Sequence, residues 1–541
     1  MSLRIPLLLS ALLVAAPVFA ADVTRGPAVQ NVDQDSAVIG VRLDAPCDVQ
    51  VHFGPPDQLT QTASSAAATQ HFVTLGSLQP ATRYAYEVEA CGADTGLGGS
   101  FTTAPKDGAR HVHFAAVGDF GTGDSRQRQV ADALAAAHPE FWLTLGDDAY
   151  ESGSESDFDQ RFFAPMKPLL ANVPVFPSPG NHEYITNKAQ PYLDAFQLPT
   201  NNPAGSERYY SFDWGAVHVV SLDSMCLMGT SSSDCTAAAQ KAWLEQDLAA
   251  SHAPWKVVSF HHPVYSSGEH GSTPAMQALM PVFEAGGVDL VLTGHDHDYE
   301  RTRPMKGGVP VPEGTPGAVT YLVVGTGGAG AYDFSGTPSW VAAQHTGILG
   351  YLDVTVEGGT LTGKLVTVDG QTPDVFTLKK ALPPPTLQLL TEPQEGPAPL
   401  TVHFTATSDV GDAAIAWDFG DGATATGSTV EHTFQSAGQY TVKATATSGD
   451  QTATASTTVT VRSGNGTTPP PPDGGIPRPG EDTGDSSGSD TRPAPGNAPP
   501  PDDAGQEAAA GCTALPSPVS AVAGLSLLAL TLLSRRRCRQ P

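Results

Sequence analysis

The apolar and polar positions of the chain follow different patterns in successive segments. Between residues 22 and 104 they alternate in short runs that turns separate, as in residues 37–41 and 83–88. Alternation with a period of two is typical of strands that bury one face. This first segment therefore predicts an all-β sandwich.

From about residue 109 the pattern predicts strands that alternate with helices. The strand-like runs are residues 111–117, 141–145, 217–222, 256–260 and 289–292. Asp124 is suited to begin a helix that runs to Ala137. The other helix-like runs are residues 236–250 and 273–285. Residues 317–380 are rich in strand formers, and the whole segment predicts a layered α/β core.

Two further segments follow the predicted core. A proline cluster at residues 383–385 marks a linker, and residues 385–462 again show the short runs of an all-β module. Residues 463–510 consist mainly of Pro, Gly, Asp, Ser and Thr, with almost no large apolar side chain. Such a segment cannot bury a core, so it predicts a disordered or extended stalk.

The first twenty residues have the composition of a secretory signal peptide. Arg4 precedes an apolar run over residues 5–14, and Ala20 ends a small-residue cleavage site. Residues 1–20 therefore predict export, with a mature chain that begins near Ala21. An exported protein can form disulfides. Cys47 and Cys91 lie in one predicted module, and Cys226 and Cys235 flank a short Gly/Ser-rich loop, so the predicted pairings are Cys47–Cys91 and Cys226–Cys235.

Residues 511–541 predict a second processing signal. Gly511-Cys512 precedes an apolar run and the arginines at residues 535–537. This order resembles a bacterial C-terminal sorting signal of the myxobacterial type, in which Cys512 is the processing or lipidation site. The alternative is a plain tail anchor, for which the apolar run is short. The sorting signal predicts a secreted or cell-surface protein, anchored at the outer membrane, whereas a tail anchor would keep its arginines on the cytoplasmic side of a membrane. Either way, the tail predicts membrane or cell-surface anchoring.

The formal net charge of −28 narrows the classes of partner. A surface this acidic repels the backbone of nucleic acids and anionic lipids, so no nucleic-acid binding is expected beyond nucleotide substrates. It would also repel a phosphate ester, unless a local positive charge overrides the repulsion. Bound metal ions can supply that charge.

Five short motifs carry side chains that can bind metal ions, and each follows a predicted strand or, for GNHE, the run at residues 173–178. They are GDFG at 118–121, GDDAY at 146–150, GNHE at 180–183, HHPVY at 261–265 and GHDH at 294–297. Open α/β sheets bind ligands beyond the carboxyl ends of their strands. Each motif alone is more often a simple turn, but five in this order predict one site.

The order GDxG, GDxxY, GNHE, HxPxY, GHxH resembles that of the calcineurin-like metallophosphoesterases, and specifically the purple acid phosphatases. The resemblance covers residues 109–380. It implies a core of two β-sheets between helices, a four-layer β-sandwich, with all-β sandwich domains on both sides. Residues 21–106 are similar to the fibronectin type III-like domain that precedes the catalytic domain in plant-type enzymes. Residues 385–462, with Trp417-Asp418-Phe419-Gly420-Asp421-Gly422, resemble a PKD domain.

Carried over by position, the resemblance implies two metal sites that share one carboxylate. One metal takes Asp119, Tyr150 and His297; the other takes Asn181, His261 and His295; Asp147 bridges both. A phenolate ligand suits Fe(III), and the second site suits Fe(II), Zn(II) or Mn(II). His182 and His270 match positions that bind phosphate and help to protonate the leaving oxygen.

Four neighbours of these residues are not expected to be ligands themselves. Asp148 and Glu183 are expected to orient ligands, and Asp296 to be a supporting or exposed residue. His262 is expected to point away from the ligands, because neighbouring side chains of a strand face opposite ways.

The resemblance implies hydrolysis of phosphate monoesters outside the cytoplasm, by a bridging or Fe(III)-bound hydroxide, with an acid optimum. A phosphodiesterase or nucleotidase with the same site is one alternative, and loops at residues 188–208 and 225–235 would set the substrate range. A cell-surface adhesion or glycan-binding protein with an inactive core is another. In each case the PKD-like module is expected to contact glycans or protein.

Overall fold

The computed structural model describes residues 21–449 and 451–464. The predicted signal peptide, nearly all of the predicted stalk, and the predicted sorting signal with Cys512 lie outside these residues. In the part of the chain that the structure describes, no helix is both long enough and apolar enough to cross a membrane.

The N-terminal segment folds into five strands. They are β1 (Val23–Gln30), β2 (Ala37–Gly54), β3 (Gln61–Leu75), β4 (Arg83–Ala90) and β5 (Ala93–Thr102). The long strand β2 changes register between Arg42 and Cys47; it pairs with β1 before this point and with β4 after it. The predicted disulfide between Cys47 and Cys91 is confirmed, and it joins β2 to the turn after β4.

This N-terminal sheet continues into the central core. Gln30 of β1 pairs in parallel with Val175, so the two segments share an eleven-stranded sheet. The sequence pattern predicts a separate module here, because nothing local indicates that β1 pairs with a strand so far along the chain.

The core contains fifteen strands, β6 to β20. Those of the first sheet are β6 (His111–Val117), β7 (Phe141–Thr144), β8 (Val175–Phe176), β18 (Gly350–Glu357), β19 (Thr360–Thr367) and β20 (Asp374–Lys379). Those of the second sheet are β9 (Tyr210–Trp214), β10 (Val217–Ser221), β11 (Trp255–Ser259), β12 (Leu290–Thr293), β13 (Tyr299–Thr302), β16 (Thr320–Val324) and β17 (Val341–His345). A separate hairpin is formed by β14 (Met305–Lys306) and β15 (Val309–Pro310).

Nine α-helices belong to the described core, together with a π-helix (Phe158–Phe163) and a 3-10 helix (Asn187–Ala189). The α-helices are α1 (Ser125–Ala137), α2 (Glu155–Asp157), α3 (Ala164–Leu170), α4 (Asn181–Ile185), α5 (Gln190–Ala195), α6 (Ser224–Leu227), α7 (Ala237–Ala250), α8 (Pro274–Gln277) and α9 (Met280–Gly286). As predicted, the side chain of Asp124 caps α1 by accepting from the N–H groups of Arg126 and Gln127. The single helix predicted over 273–285 is wrong, because Pro281 cannot continue a helix from α8 and instead lies in the first turn of α9.

Alternate residues of the second sheet face two different layers. Val219 of β10 packs in the apolar cluster that the first sheet also lines, whereas Val220 packs with Leu244 of α7 and Phe283 of α9. Helices α1 and α3 cover the first sheet from outside. This helix–sheet–sheet–helix order confirms the fold class that the sequence predicts.

The C-terminal module is a β-sandwich of eight strands. They are β21 (Leu387–Glu392), β22 (Glu395–Pro397), β23 (Leu400–Ser408), β24 (Ala414–Asp418), β25 (Thr424–Thr426), β26 (Thr429–Phe434), β27 (Gly438–Ser448) and β28 (Gln451–Arg462). Three of them form one sheet and five the other. Phe404, Trp417 and Phe434 are buried between the two sheets.

Arg110 joins this sandwich to the core. The backbone N–H groups of Arg110 and His111 donate to one oxygen of Asp412, at 2.7 and 2.8 Å. The guanidinium of Arg110 donates to Gln451 at 2.8 Å and to the carbonyl of Pro383 at 2.7 Å. Arg110 immediately precedes β6, so this junction lies at the opposite end of the strand from Asp119.

Candidate metal centre

The predicted ligands collect at one edge of the two sheets. Asp119 follows β6 and Asp147 follows β7, which are parallel neighbours in the first sheet. His261 follows β11 and His295 follows β12, which are parallel neighbours in the second sheet. Asn181 is the first residue of α4, after β8. The carboxyl ends of these parallel strands therefore bring distant parts of the sequence together.

The turns that present these side chains have an unusual backbone. Asp119, Asp147 and His295 have φ values of 59°, 56° and 74°, in the left-handed region. Each such residue costs roughly 1–3 kcal/mol, and strain of this kind concentrates at functional sites. A Cβ on Gly180 would lie 2.2 Å from Oδ1 of Asp147, and one on Gly294 would lie 2.4 Å from Oδ2 of Asp119. Glycine in these motifs therefore lets the turns approach the carboxylates.

Potential ligand atoms of four residues lie close to the ring of His261, namely those of Asp119, Asp147, Asn181 and His295. The ligand atoms of Asp119, Asp147 and His261 all lie within 4.8 Å of one another. Nε2 of His261 is 2.9 Å from Oδ1 of Asn181 and 3.2 Å from Nδ1 of His295. It is also 3.4 Å from Oδ2 of Asp147.

The hydrogen bonds of His261 determine what this convergence can hold. Its Nδ1–H donates to the carbonyl of Leu145 at 2.8 Å, so the lone pair of neutral His261 is on Nε2. That lone pair faces acceptor oxygens of Asn181 and Asp147, an arrangement that only a cation or a proton satisfies. Burial lowers the pKa of His261, but the charge of Asp147 and a hydrogen bond to it outweigh burial and raise the pKa to about 10. A positive charge between these atoms is therefore favourable, and the nitrogen and oxygen atoms that meet here fit a metal ion.

Tyr150 and His297 form a second group beside Asp119. The hydroxyl of Tyr150 is 3.3 Å from Oδ1 of Asp119 and 3.2 Å from Nε2 of His297. Nδ1–H of His297 donates to the carbonyl of Gly330 at 2.6 Å, which leaves Nε2 for a ligand. Burial and the charge of Asp119 raise the pKa of Tyr150 well above its usual value, so its phenolate form needs a nearby cation.

Asp147 lies between the two groups. Its Oδ1 accepts from the backbone N–H of His182 at 3.0 Å, while its Oδ2 faces His261. Burial would raise the pKa of Asp147, but His261 and His182 hold it well below the usual range. The carboxylate is therefore ionised and has an oxygen available on the side of His261.

His182 and His270 both lie in this cluster. Nδ1–H of His182 donates to the carbonyl of Glu151 at 2.6 Å, and its Nε2 is 3.8 Å from Oδ2 of Asp147. The ring of His270 is 4.2 Å from that of His295, and the side chain is 40% exposed. Both imidazoles are thus at the centre and open to a ligand from solvent.

The acidic neighbours have different contacts. Glu183 accepts from the N–H groups of Asp147, Ala149 and Gly180, at 3.1, 3.0 and 2.8 Å, and so holds the GDDAY turn against α4. Asp148 accepts from the hydroxyl of Thr144 at 3.0 Å. Glu183 therefore holds the turn that carries Asp147 in place.

His262 does not point away from the ligands, and that expectation is wrong. Its ring is 4.2 Å from the ring of His295, and its Nδ1 is 2.8 Å from the hydroxyl of Ser224. The strand β11 ends at Ser259, so residues 261 and 262 lie in a turn where the alternation of a strand no longer holds.

The sequence motifs did not indicate the contribution of the loop after β16. Gly330 of this loop accepts from His297, and the ring of Tyr332 stacks on the ring of His297 at 4.1 Å. The available signal was the glycine-rich run at residues 325–330. It follows a strand that pairs in parallel with β12 and therefore ends at the same edge.

The two loops expected to set the substrate range are connected. Arg208 of the first loop is 3.1 Å from Asp234 of the second. Arg208 also donates to the hydroxyl of Tyr184 of α4 at 3.2 Å. The predicted disulfide between Cys226 and Cys235 is confirmed and closes the second loop. Both loops are therefore linked to the helix that carries Asn181.

Family models match three segments of the chain. Residues 112–299 match the calcineurin-like phosphoesterases, and residues 383–462 match the PKD domain. Residues 20–96 match a domain of unknown function, DUF7800, so the fibronectin type III resemblance stays a prediction.

Several curated proteins are similar to this chain. Purple acid phosphatase 18 of Arabidopsis thaliana is 29% identical over 271 residues, which are 48% of this chain and 58% of the relative. Acid phosphatase type 7 of Mus musculus is 28% identical over 297 residues, 48% of this chain and 64% of the relative. The similarity thus spans less than two thirds of either relative.

Two solved structures share the fold. A purple acid phosphatase from Lupinus luteus superposes with a TM-score of 0.56 at 19% identity, covering 65% of this chain and 74% of its own. The structure of PhoD superposes with a TM-score of 0.51 at 14% identity, covering 73% and 92%. The protein is a homologue of the purple acid phosphatases, with a calcineurin-like metallophosphoesterase domain and a PKD domain.

Proposed function

We propose that this centre binds two metal ions and hydrolyses phosphate monoesters, the activity of an acid phosphatase. The observation that carries the proposal is the convergence of acceptor atoms at His261, whose Nε2 is 2.9 Å from Oδ1 of Asn181 and 3.4 Å from Oδ2 of Asp147. Acceptors that face one another at these distances suit a cation. The similarity to acid phosphatases supports the choice of substrate class.

Two groups of residues would hold the metals, and Asp147 would serve both. Asp119, Tyr150 and His297 form the first group; Asn181, His261 and His295 form the second. We infer Fe(III) beside Tyr150, because burial and neighbouring negative charge oppose ionisation of its hydroxyl unless a strong Lewis acid is present. The second group suits Fe(II), Zn(II) or Mn(II).

Two metals held in this way supply Lewis acidity, an activated water and charge that offsets the phosphate. The residues of the chain do the rest. His182 and His270 each have one nitrogen held by a neighbouring oxygen, which leaves Nε2 of each ring to contact the substrate. These imidazoles bind the phosphoryl oxygens and carry a proton to the leaving oxygen.

A metal and activity assay tests the proposal. Purified protein should contain two metal ions per chain, show a visible tyrosinate–Fe(III) band and hydrolyse p-nitrophenyl phosphate best at acidic pH. Asp147→Asn should lose metal and activity. The matched control is Asp353→Asn, since Asp353 also pairs with a histidine, His113, at 2.7 Å, but His113 is near the start of β6, about 20 Å along the strand from Asp119.

Three results would change this assignment. Normal hydrolysis by Asp147→Asn would overturn the site. Faster hydrolysis of bis(p-nitrophenyl) phosphate than of the monoester would favour the phosphodiesterase alternative. Protein that stays inactive after loading with iron and zinc would favour the adhesion alternative.

We further propose that the protein acts outside the cytoplasm, secreted or held at the cell surface. Two disulfides and a PKD domain are typical of extracellular proteins. The PKD domain would then contact glycans or protein there. Fractionation of cells with an antibody against the PKD domain tests this proposal, and recovery of the protein in the cytoplasm would contradict it.

A further inference from the structure

Asp296 lies in the sequence between His295 and His297, and its carboxylate is fully buried. Its Oδ1 accepts from the backbone N–H of His270 at 2.8 Å and is 3.0 Å from Nδ1 of the same residue. Its Oδ2 accepts from the hydroxyl of Ser266. Asp296 therefore holds His270 by both its backbone and its ring.

The loop that carries His270 is folded around this carboxylate. The hydroxyl of Ser266, besides donating to Asp296, accepts from the N–H of Gly268 at 3.0 Å. A Cβ on Gly268 would lie 2.7 Å from Cγ of Asp296, which leaves no room for a side chain. The N–H of Ser266 in turn donates to the hydroxyl of Ser272 at 3.0 Å.

The hydrogen bond to Asp296 selects one orientation of the imidazole. Because Nδ1–H donates to the carboxylate, Nε2 is the ring nitrogen left for a substrate. The ring itself packs 4.2 Å from His295 and 5.2 Å from Tyr332. A carboxylate behind an imidazole fixes its tautomer and its orientation, as in catalytic triads.

We propose that Asp296 is a positioning residue, which directs Nε2 of His270 to the leaving oxygen of the phosphate ester. This inference rests on the proposed phosphatase activity. As the oxygen of water or hydroxide forms a bond to phosphorus, the bond from phosphorus to the leaving oxygen breaks. The proton on Nε2 of His270 passes to that oxygen, so an alcohol leaves and the imidazole becomes neutral.

This role predicts a dependence on the leaving group. Ethanol is a poor leaving group and needs the proton, whereas p-nitrophenol leaves readily as an anion. Asp296→Ala should therefore lower kcat for ethyl phosphate about 100-fold, the lower range for general acid catalysis, and change kcat for p-nitrophenyl phosphate much less. Asp296→Asn keeps an acceptor for Nδ1–H and should retain part of the activity towards ethyl phosphate.

A double-mutant cycle tests whether Asp296 acts through His270. His270→Ala should reproduce the selective loss, and the double variant Asp296→Ala/His270→Ala should be no slower than His270→Ala alone. Asp298→Asn is the matched control, because Asp298 is equally buried, two residues further on, and neither of its oxygens has a hydrogen-bond partner among the described residues. The ratio of kcat for ethyl phosphate to kcat for p-nitrophenyl phosphate should be the same in Asp298→Asn as in the wild type.

A crystal structure of Asp296→Ala supplies a readout that is independent of activity, and the ring of His270 should leave its wild-type orientation there. The proposal is overturned if Asp296→Ala slows both substrates equally or loses metal, since its role would then be structural. It is also overturned if the double variant loses kcat for ethyl phosphate by the product of the two single losses, because Asp296 and His270 would then act independently. Wild-type protein that carries two metals and hydrolyses neither ester would instead overturn the proposed phosphatase activity itself.

Discussion

Nε2 of His261 lies 2.9 Å from Oδ1 of Asn181, although neither atom carries a hydrogen when the imidazole is neutral. The hydrogen bond from Nδ1–H to the carbonyl of Leu145 turns the other nitrogen towards the amide oxygen. Such a contact is unfavourable without a cation or proton between the atoms. The fold thus maintains a geometry that metal binding would relieve.

Metal removal should therefore lower thermal stability. A ligand that binds only the folded state at about 100 times its Kd stabilises that state by about 2.7 kcal/mol. Treatment with a chelator should lower Tm, and restored metal should raise it again, as measured by calorimetry. Asp147→Asn is the control and should show little response to metal. An equal response of this variant would contradict the assignment of Asp147.

Tyr150 should account for any visible colour of the protein. Its hydroxyl is directed between Asp119 and His297, so Tyr150→Phe removes the only phenol oxygen proposed as a ligand. The absorption band should vanish from the spectrum of the iron-loaded variant. Tyr332→Phe is the matched control, because Tyr332 stacks on the same histidine without being a proposed ligand. Loss of the band in Tyr332→Phe alone would assign the chromophore to Tyr332.

His218 should make stability depend on pH. Burial lowers the pKa of His218, but hydrogen bonds to Asp213 and Asp247 outweigh burial and raise the pKa to about 9. A histidine with a raised folded-state pKa contributes stability that is complete below about pH 6.5 and is lost as the pH rises through 9. The contribution is on the order of 3 kcal/mol.

The comparison of wild type with His218→Gln at pH 6 and pH 10 tests this dependence. The wild type should have the higher Tm at pH 6, and the difference should shrink at pH 10 as His218 loses its proton. A difference that stays constant between these pH values would show that the two carboxylates do not raise the pKa.

The junction at Arg110 should affect stability without affecting catalysis. Arg110→Ala removes the guanidinium that donates to Gln451 and to the carbonyl of Pro383, whereas the backbone N–H groups that donate to Asp412 stay, so the loss is about 1 kcal/mol for each of the two hydrogen bonds. The junction is separated from Asp119 by the seven residues of β6, about 20 Å.

In a calorimetric scan of Arg110→Ala, the PKD domain should unfold at a lower temperature than in the wild type, while kcat stays unchanged. Arg83→Ala is a suitable control, because the exposed guanidinium of Arg83 makes a single side-chain hydrogen bond, to Ser100. A fall in kcat would show that the junction communicates with the metal centre.

Local patterns predicted much of this architecture. The start of α1 at Asp124 and the extent of β6 follow from a capping residue and an apolar run, which act over a few residues. The five motifs do lie at one edge of the sheets, because parallel strands of an α/β sheet end at a common edge. Both disulfides join cysteines of one predicted module, at sequence separations of 44 and 9 residues.

Local sequence patterns did not predict the contacts between segments that are far apart along the chain. The pairing of Gln30 with Val175, the stacking of Tyr332 on His297 and the position of His262 all depend on how loops and sheets pack. No short-range propensity encodes such contacts, since each segment would adopt the same local structure with another neighbour.

The sequence by itself thus determined which side chains could bind metal and the order in which strands deliver them. Only the tertiary structure decided which nitrogen of each histidine is free. Leu145 holds Nδ1 of His261, Gly330 holds Nδ1 of His297 and Asp296 holds Nδ1 of His270. The physical reason is that the acceptor for each ring comes from a remote segment, whose place is set by the packing of the two sheets.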